Sequence, residues 1–516
     1  MTEFKNMTYL DFTNPDIFKQ QHDAIQNVRA KYGREYPNYI GGKEVFTEKK
    51  TISINPANVA ETIGIFQKGG KDDAETAMQA ALKAFETWKK VPAAERADYI
   101  LKAAELMKQK RLEINAWMIS EVGKSYLEAD ADTCEAIDFL EFYGREAIRY
   151  SQFQPLTPYP GEKNTYHYIP LGVGVVIPPW NFPFAILCGM ATAGIVTGNT
   201  VVLKPSSDSP MMGQLFIDIM REVGLPEGVL NFFVASGAEA GDYLVQHPKT
   251  RFISFTGSME VGLRINELAA KMSPGQIWIK RVVAEMGGKD TIVVDSEADI
   301  NEAVKGVVAS AYGFQGQKCS ACSRAIVDEK IYDEFVEKLK IAVEALKVGN
   351  PQENFYSGPV VSAKAEQTIL NYIEIGKKEG KLLVGGYKVE GLNGYFIQPT
   401  VFIDIDPLAR ISQEEIFGPV LAVIKSKDYD NALEIANNTI YGLTGAVFSL
   451  NPAKIDRARQ EFHCGNLYLN RKCTGALVDV QPFGGFNMSG TDSKAGSRDY
   501  LLLFQQGKAI TEKIIS

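Results

Sequence analysis

The sequence has few histidines and cysteines for its length, with four histidines and six cysteines in 516 residues. The cysteines are scattered along the chain, which does not match the disulfide framework of a small secreted domain, and all six are expected to be reduced. The histidines lie in no ligand-like cluster, so no metal site is predicted. The cysteines are Cys134, Cys188, Cys319, Cys322, Cys464 and Cys473.

Long apolar runs and a strong excess of one charge are also missing. The apolar runs are interrupted well short of the ~20 residues that a membrane span needs, and the N-terminus lacks an apolar signal core. The 55 basic and 63 acidic residues leave a net charge of −8. Neither nucleic acid nor a membrane surface is therefore favoured as a partner, and we expect a globular, cytoplasmic protein.

Cys319 is set in a small, glycine-rich loop that reads GFQGQKCSA over residues 313–321. A cysteine thiol is already partly ionised at neutral pH and is very nucleophilic, and the adjacent Lys318 is expected to favour the thiolate further. Upstream, the run VAEMGGK places Glu285 before two glycines, where a carboxylate can activate water for a second half-reaction. The two runs predict a catalytic thiol and its base.

Cys319 and Cys322 also form a Cys-x-x-Cys pair. A zinc site normally needs two more ligands at similar spacing, and a thioredoxin-like dithiol is a minor alternative. A milder hypothesis is that oxidation joins the two thiols and switches the protein off reversibly. Recovery with dithiothreitol after peroxide treatment, abolished in a Cys322→Ala variant, is the observation that this hypothesis requires.

Apolar strand-like runs alternate with amphipathic helical runs between about Gly172 and Asp295. Repeated βα units of this length predict an α/β fold with a doubly wound parallel sheet, which binds ligands at the carboxyl ends of its strands. A nucleotide site is therefore expected near Pro178, Lys204 and Gly257. The predicted strands are 172–177, 200–204, 229–234 and 251–256, and the predicted helices are 184–197, 210–223 and 238–246.

The flanking segments predict further units. Residues 71–110 and 115–150 carry helical periodicity and are interpreted as covering helices, whereas a second βα alternation from about residue 293 to 470 carries Cys319. Segments between residues 150 and 170 and after residue 490 alternate with a period of two, which favours a β oligomerisation arm. The predicted domains are a nucleotide-binding domain (1–146 and 170–284), a catalytic thiol domain (285–475) and the arm (147–169 and 488–516).

A glycine turn between a strand and a helix supports the nucleotide site, in the run FTGSMEVG over residues 255–262. Free N–H groups at a helix start favour phosphate, and Ser258 adds a hydroxyl. The run is not the GxGxxG fingerprint and, alone, is equally compatible with a tight connection. A third loop, IPPWNFP over residues 177–183, is either a rigid turn with Trp180 in the core or the source of an amide donor, Asn181.

Together these runs resemble the aldehyde dehydrogenase superfamily. They are joined in the superfamily's order by QEEIFGP (413–419), GLT (442–444) and PFGG (482–485), and the resemblance spans roughly residues 35–500. It implies that Cys319 attacks an aldehyde, that Asn181 and the Cys319 N–H hold the oxyanion at about 3 kcal/mol per donor, and that Glu285 activates water to hydrolyse the thioester. The cofactor-binding residues that the resemblance implies are Ile177, Pro179, Trp180, Lys204, Ser207, Gly257, Ser258, Val261, Glu415 and Phe417.

The expected cofactor is NAD. Many NAD-preferring relatives carry a glutamate three residues after the lysine that Lys204 matches, whereas this chain has Ser207. A serine would not repel a 2′-phosphate, so the use of NADP is left open.

Two features indicate which class of aldehyde is the substrate: Ser320 and the run NRKCTGA over residues 470–476. These resemble the glutamate-semialdehyde dehydrogenase group, in which a serine and Gly-Ala amides anchor an α-carboxylate and a glutamate meets the α-ammonium. Without the family, the same glutamate is a solvated helix charge and the aromatics are core residues. The implied substrate-binding residues are Ser320, Gly475, Ala476, Glu135, Phe182 and Phe483.

The function that follows is NAD-dependent oxidation of L-glutamate γ-semialdehyde, which equilibrates with 1-pyrroline-5-carboxylate, to L-glutamate in proline and arginine catabolism. One alternative is another semialdehyde dehydrogenase, for example for succinate semialdehyde, which would use Arg471 for the carboxylate. A second is a non-catalytic member of the fold, which would have lost the thiol, the base or the asparagine. A homo-oligomer is expected, and a proline dehydrogenase partner is left open.

Overall fold

The computed structural model describes residues 3–515, so residues 1, 2 and 516 at the ends of the predicted domains lie outside the described residues. The α-helices of the described part are α1 (Pro15–Arg29), α2 (Lys71–Trp88), α3 (Ala93–Gln109), α4 (Arg111–Val122), α5 (Tyr126–Tyr150), α6 (Ala185–Val196), α7 (Pro210–Glu222), α8 (Asp242–Gln246), α9 (Met259–Ala270), α10 (Ile300–Tyr312), α11 (Tyr332–Glu344), α12 (Ala363–Glu379), α13 (Arg410–Gln413), α14 (Tyr429–Asn437) and α15 (Pro452–Glu461).

Strands alternate with these helices along most of the chain. They are β1 (Arg34–Tyr36), β2 (Asn38–Ile40), β3 (Lys43–Val45), β4 (Lys50–Asn55), β5 (Asn58–Gln67), β6 (Glu162–Pro170), β7 (Val173–Ile177), β8 (Thr200–Leu203), β9 (Leu230–Phe232), β10 (Thr250–Thr256), β11 (Arg281–Glu285), β12 (Asp290–Val294), β13 (Cys322–Asp328), β14 (Lys381–Val384), β15 (Thr400–Ile403), β16 (Val420–Ser426), β17 (Tyr441–Gly442), β18 (Thr444–Phe448), β19 (Asn466–Leu469), β20 (Phe486–Asn487) and β21 (Gln505–Lys513).

The first large sheet has the strand order β11-β10-β7-β8-β9-β2-β3, in which β7 to β11 run parallel. Apolar side chains of these strands are buried on both faces. Val176 and Leu203 belong to one core cluster, whereas Val175 and Val202 belong to another on the opposite face. Burial on both faces is typical of a parallel sheet covered by helices, and the predicted doubly wound α/β fold is confirmed.

The second large sheet has the order β14-β15-β16-β13-β12-β18-β19 and is parallel except for β14. Glu285 is the last residue of β11, and Cys322 is the first residue of β13. The base and the thiol loop therefore lie between the carboxyl edge of the first sheet and the amino edge of the second.

Both predicted covering helices are interrupted. The segment 115–150 breaks at Gly123, whose φ of 74° places it in the left-handed region and ends α4. The segment 71–110 breaks before Pro92, which precedes α3, because a proline ring disfavours helical backbone at the residue before it. The predicted helix at 238–246 starts as a short π-helix over Gly237–Gly241 and continues as the α-helix α8.

The end of the chain differs from the predicted arm. Residues 505–513 do form an extended strand, antiparallel to β6. Residues 490–504, in contrast, fold back over the first sheet and bury their aromatic side chains: Tyr500 stacks on Tyr143 with ring centroids 5.5 Å apart, and Phe504 meets Phe252 edge to face at 5.2 Å. Among residues 3–515, no helix combines the length and apolarity that crossing a membrane requires.

Candidate active site

The loop that carries Cys319 has an unusual backbone. Phe314 and Gln315 both adopt positive φ values, 48° and 54°, a conformation that non-glycine residues take only where the surrounding structure holds them. Gln317 is fully buried, and its side-chain oxygen accepts a hydrogen bond from the Val361 N–H at 2.9 Å. These contacts hold Cys319, which is half-buried, at the edge of a cavity.

The cavity brings the predicted thiol and base together with all of the residues predicted to bind the substrate. Cys319 and Glu285 both line it. The other predicted residues along its wall are Glu135, Phe182, Ser320, Gly475, Ala476 and Phe483. Much of the remaining lining is aromatic, from Phe139, Tyr143 and Tyr500. The cavity therefore combines apolar walls with a few convergent polar groups, as expected of a small-molecule site.

Glu285 is held from several sides. Ser493 donates a hydrogen bond from its hydroxyl to Oε1, and the Gly485 N–H donates to Oε2 at 3.3 Å. Burial raises the pKa of Glu285 to about 8, although Ser493, Gly485 and Lys494 act to lower it. A carboxylate with a pKa near neutral is suited to exchange a proton with water or a thiol.

Lys318 does not activate Cys319, contrary to the expectation from its position in the sequence. Its ammonium forms an ion pair with Glu128 at 2.7 Å. Burial raises the pKa of the Cys319 thiol well above its ordinary value, and the carboxylates of Asp290, Glu415 and Glu285 raise it further. The thiol is therefore protonated in the resting site at neutral pH, because burial and negative charge both disfavour a thiolate.

Asn181 is buried directly beside the thiol loop. Its amide nitrogen donates a hydrogen bond to the Gln317 carbonyl at 3.2 Å, which ties the loop after β7 to the backbone two residues before Cys319. An asparagine amide has two N–H groups, so one donor remains beyond this bond.

The predicted cofactor residues cluster at the carboxyl edge of the first sheet, with two approaching from the second. Ile177 is the last residue of β7, and Pro179 and Trp180 lie in the loop after it. Lys204 directly follows β8, and Gly257, Ser258 and Val261 follow β10, where Ser258 caps α9 by accepting from the Val261 N–H at 3.4 Å. Burial lowers the pKa of Lys204 to about 8. Ser207 is exposed in the loop after β8.

Glu415 and Phe417 reach the same area from the loop between α13 and β16. Glu415 accepts a hydrogen bond from the Gly288 N–H at 3.1 Å, and burial raises its pKa to about 7. Phe417 packs edge to face on Trp180, with ring centroids 5.4 Å apart. The two sheets thus present a basic group, a capped helix start and a carboxylate to one crevice, which fits phosphate and ribose groups.

Arg471, the basis of the succinate semialdehyde alternative, is engaged elsewhere. Its guanidinium donates to the carbonyls of Thr474 and Gly475 at 3.2 Å each and lies 4.4 Å from the ring centroid of Tyr468. Arg471 therefore shapes the predicted anchor loop from behind and is not among the residues that line the cavity.

The hypothesis of a switch between Cys319 and Cys322 gains no support from the structure. Cys322 is 1% exposed, its thiol contacts the Arg324 carbonyl at 3.4 Å, and its sulfur neighbour is the buried Cys473. Within residues 3–515, no group of three or more His, Cys, Asp and Glu side chains could hold a metal ion.

Ser493 and Lys494 are functional candidates that the sequence reasoning missed. Both lie in the segment 490–504, which had been interpreted as part of the arm, and Ser493 reaches Glu285 only because the chain folds back over the site. The nearby Pro482–Gly485 run was the available signal, since glycines often mark a close approach of backbone to a site.

Comparisons with known proteins identify similar enzymes. The chain is 56% identical over 510 residues to the 1-pyrroline-5-carboxylate dehydrogenase of Geobacillus thermodenitrificans, covering 99% of each chain. A crystal structure of 1-pyrroline-5-carboxylate dehydrogenase from Thermus with bound NAD superposes with a TM-score of 0.98 at 51% identity, covering 99% of both chains.

A longer protein also contains a similar unit. Proline utilization A from Bdellovibrio bacteriovorus matches with a TM-score of 0.97 at 43% identity, and the match covers 99% of this chain but 53% of that one. The sequence profile of the aldehyde dehydrogenase family matches residues 45–510. The chain therefore belongs to the aldehyde dehydrogenase family.

Proposed function

We propose that this protein oxidises L-glutamate γ-semialdehyde, the open form of 1-pyrroline-5-carboxylate, to L-glutamate with NAD as the oxidant. The observation that carries the proposal is the single cavity in which Cys319 and Glu285 meet Ser320, Gly475 and Glu135. The relatives from Geobacillus and Thermus that carry this enzyme name match over nearly the whole chain and support the same substrate.

The first half-reaction uses Cys319. Its thiol gives up a proton and the sulfur attacks the aldehyde carbon, and Glu285 in the same cavity is a suitable acceptor for that proton. The oxygen of the thiohemiacetal is held by the Cys319 N–H and the Asn181 amide, and the bond from Asn181 to the Gln317 carbonyl, two residues before Cys319, supports this role.

When bound, NAD would supply the hydride acceptor for oxidation of the thiohemiacetal to a thioester. Lys204, Ser258 and Glu415 are the residues that would hold it, because they place an ammonium, a capped helix start and a carboxylate along one crevice. Trp180 and Phe417 pack against each other at the same crevice.

The second half-reaction uses Glu285. It takes a proton from water, which attacks the thioester carbonyl, and Cys319 leaves as the thiolate with the carboxylate as product. The substrate stays oriented by its other end: the amides of Gly475 and Ala476 and the Ser320 hydroxyl suit an α-carboxylate, and Glu135 suits the α-ammonium. Phe182 and Phe483 suit the aliphatic segment between them.

Assembly and location belong to the same proposal. The ribbon of β6 and β21 exposes most of its outer strand, and a two-stranded ribbon without further packing is marginally stable in water. We therefore expect a homo-oligomer in which this arm meets another copy, and a cytoplasmic enzyme. A proline dehydrogenase is a suitable partner, since the match to proline utilization A covers about half of a longer chain.

The test is steady-state reduction of NAD with 1-pyrroline-5-carboxylate, beside succinate semialdehyde and a simple aliphatic aldehyde. A strong preference for the first substrate is expected, and it should disappear in Cys319→Ala but persist in the control Cys134→Ala, which alters a buried cysteine outside the cavity. Activity on the other aldehydes alone would refute the assigned substrate, and activity without the Cys319 thiol would refute the mechanism.

A further inference from the structure

The peptide group between Gly484 and Gly485 contacts two charged side chains at once. Its carbonyl oxygen accepts a hydrogen bond from the ammonium of Lys494. Its N–H, which belongs to Gly485, donates to Oε2 of Glu285 at 3.3 Å. One peptide unit therefore connects a lysine to the proposed base of the second half-reaction.

Lys494 is fixed in place behind this loop. Its ammonium also donates to the Gly465 carbonyl at 2.8 Å and lies 3.5 Å from Oδ1 of Asn466. The same Asn466 oxygen accepts a hydrogen bond from the Gly484 N–H at 3.2 Å. Lys494 does not line the substrate cavity, so it can act on the reaction only through the groups that it touches.

The loop approaches the base so closely that only glycine fits. A Cβ atom at Gly484 would lie 1.7 Å from the Ser493 carbonyl oxygen and 2.9 Å from Oε1 of Glu285. At Gly490, a Cβ atom would lie 2.9 Å from the Ala284 carbonyl oxygen. The glycines allow backbone groups to reach Glu285 directly, which a side chain at these positions would prevent.

The charges around Glu285 come from several elements. Burial raises its pKa, the Ser493 hydroxyl, the Gly485 N–H and Lys494 lower it, and Asp492 raises it. The Cys319 thiol and the Tyr500 hydroxyl face it from the thiol loop and from the segment after residue 499, and each would gain a negative charge on ionising. Of the neighbouring groups named here that shift the pKa of Glu285, Lys494 is the one with a positive charge.

We infer that Lys494 is a positioning residue for Glu285: acting through the Gly484–Gly485 peptide, its ammonium favours the ionised form of the carboxyl group and orients it to activate water. This inference rests on the proposed role of Glu285 as the base. Hydrogen bonds arranged in a chain polarise one another, so a peptide whose carbonyl is bound by an ammonium becomes a better N–H donor to a carboxylate. Ser493 adds a second donor to the other oxygen.

The experiment compares Lys494→Met with Lys494→Arg over a pH range. Loss of the charge should raise the pKa of the acidic limb of kcat by about one unit, as loss of a neighbouring cation does for a carboxylate. The rate of thioester hydrolysis should then fall about tenfold below that limb and return to the wild-type value at high pH. Lys494→Arg should restore most of the profile because it keeps the charge.

A matched control is Lys280→Met. Lys280 likewise donates to a backbone carbonyl, that of Val245 at 2.7 Å, and it is not among the residues that line the cavity. This variant should keep the wild-type pH profile.

The outcomes separate the inference from the proposed function. If Glu285→Gln blocks hydrolysis but the Lys494→Met profile superimposes on that of the wild type, the inference is wrong and the proposed base stands. A loss of kcat that is equal at every pH would assign Lys494 a purely structural role and also refute the inference. If Glu285→Gln hydrolyses the thioester at the normal rate, the assignment of the base itself is wrong.

Discussion

Lys318 donates its hydrogen bond to Glu128, 190 positions earlier in the chain, and not to the thiol of its neighbour Cys319. The Lys318 side chain is only 9% exposed, and that of Glu128 is 22% exposed. The pair therefore links α5 of the first domain to the thiol loop. Burial raises the pKa of Glu128, but Lys318 and Lys124 outweigh it and the net pKa is lowered.

A Lys318→Met variant should lose stability and keep its thiol chemistry. Removing one partner of a buried pair costs about 3 kcal/mol, because the other charge is left without compensation. The pKa of Glu128 in the folded protein lies below its usual value. The free energy of unfolding that the variant loses should therefore be largest at pH values above that usual pKa, and the loss should vanish as the pH falls through the folded pKa. Urea unfolding at several pH values measures it, with Lys318→Met/Glu128→Gln as the control that should recover stability. An altered rate of Cys319 alkylation would contradict the assignment.

The thiol of Cys319 should react slowly at neutral pH in the absence of ligands. Its pKa is raised by burial and then by Asp290, Glu415 and Glu285, so the thiolate appears only as the pH rises above that raised value. The rate of inactivation by iodoacetamide should still be increasing at pH 9. Glu415→Gln removes one of the carboxylates and should shift the profile to lower pH, whereas a plateau near pH 7 in the wild type would show a thiol already ionised.

Glu135→Gln should weaken the binding of amino-bearing substrate selectively. A hydrogen bond between charged groups contributes about 1.5–3 kcal/mol, so KM for glutamate semialdehyde should rise at least about tenfold. An aldehyde of the same length without the amino group should keep its KM. Burial, with Asp132 and Asp138, raises the pKa of Glu135 to about 8, so the wild-type KM for the amino-bearing substrate should fall as the pH rises towards 8. If KM changes equally for both aldehydes in Glu135→Gln, Glu135 does not bind the substrate's ammonium group.

Ser207→Glu should sharpen the preference for NAD. Ser207 is exposed just beyond Lys204, at the end of β8, and a carboxylate there would repel a 2′-phosphate. The kcat/KM for NADP should fall about tenfold or more while that for NAD stays within about twofold. Ser207→Gln is the control of similar size without the charge. If Ser207→Glu uses NADP as well as the wild type does, the 2′-hydroxyl of the cofactor's adenosine ribose does not lie near residue 207.

The sequence predicted β7 to β10 of the first sheet well because each is marked locally, whereas β2, β3 and β11 of that sheet were not among the predicted strands. Apolar strands bounded by glycine and proline, such as Val173–Ile177 and Thr200–Leu203, carry their signal within a few residues. The breaks at Gly123 and Pro92 were missed because the apolar periodicity continues on both sides of each. The glycine and the proline were local signals for a helix end, but the helical periodicity of the longer segments outweighed them in the prediction.

The candidate site was predictable where its motifs are contiguous and not where distant segments meet. Cys319, Glu285 and Gly475 stand in recognisable runs and do line one cavity. The role given to Lys318 was wrong because its partner, Glu128, lies on a remote helix. Ser493 escaped notice for the same reason, since its contact with Glu285 depends on how the chain returns to the first sheet.

The return of the chain to its first sheet has a consequence for synthesis on the ribosome. The strands β7 to β11 are complete once residue 285 has emerged, but Tyr500 and Phe504 join their core only after the whole second sheet has been made. Asn199, at the start of β8, also donates to the Phe504 carbonyl at 2.9 Å. The core beside these strands therefore stays incomplete until residues 500–504 have been made, and transiently exposed apolar surface of this kind makes a partly folded chain prone to aggregate.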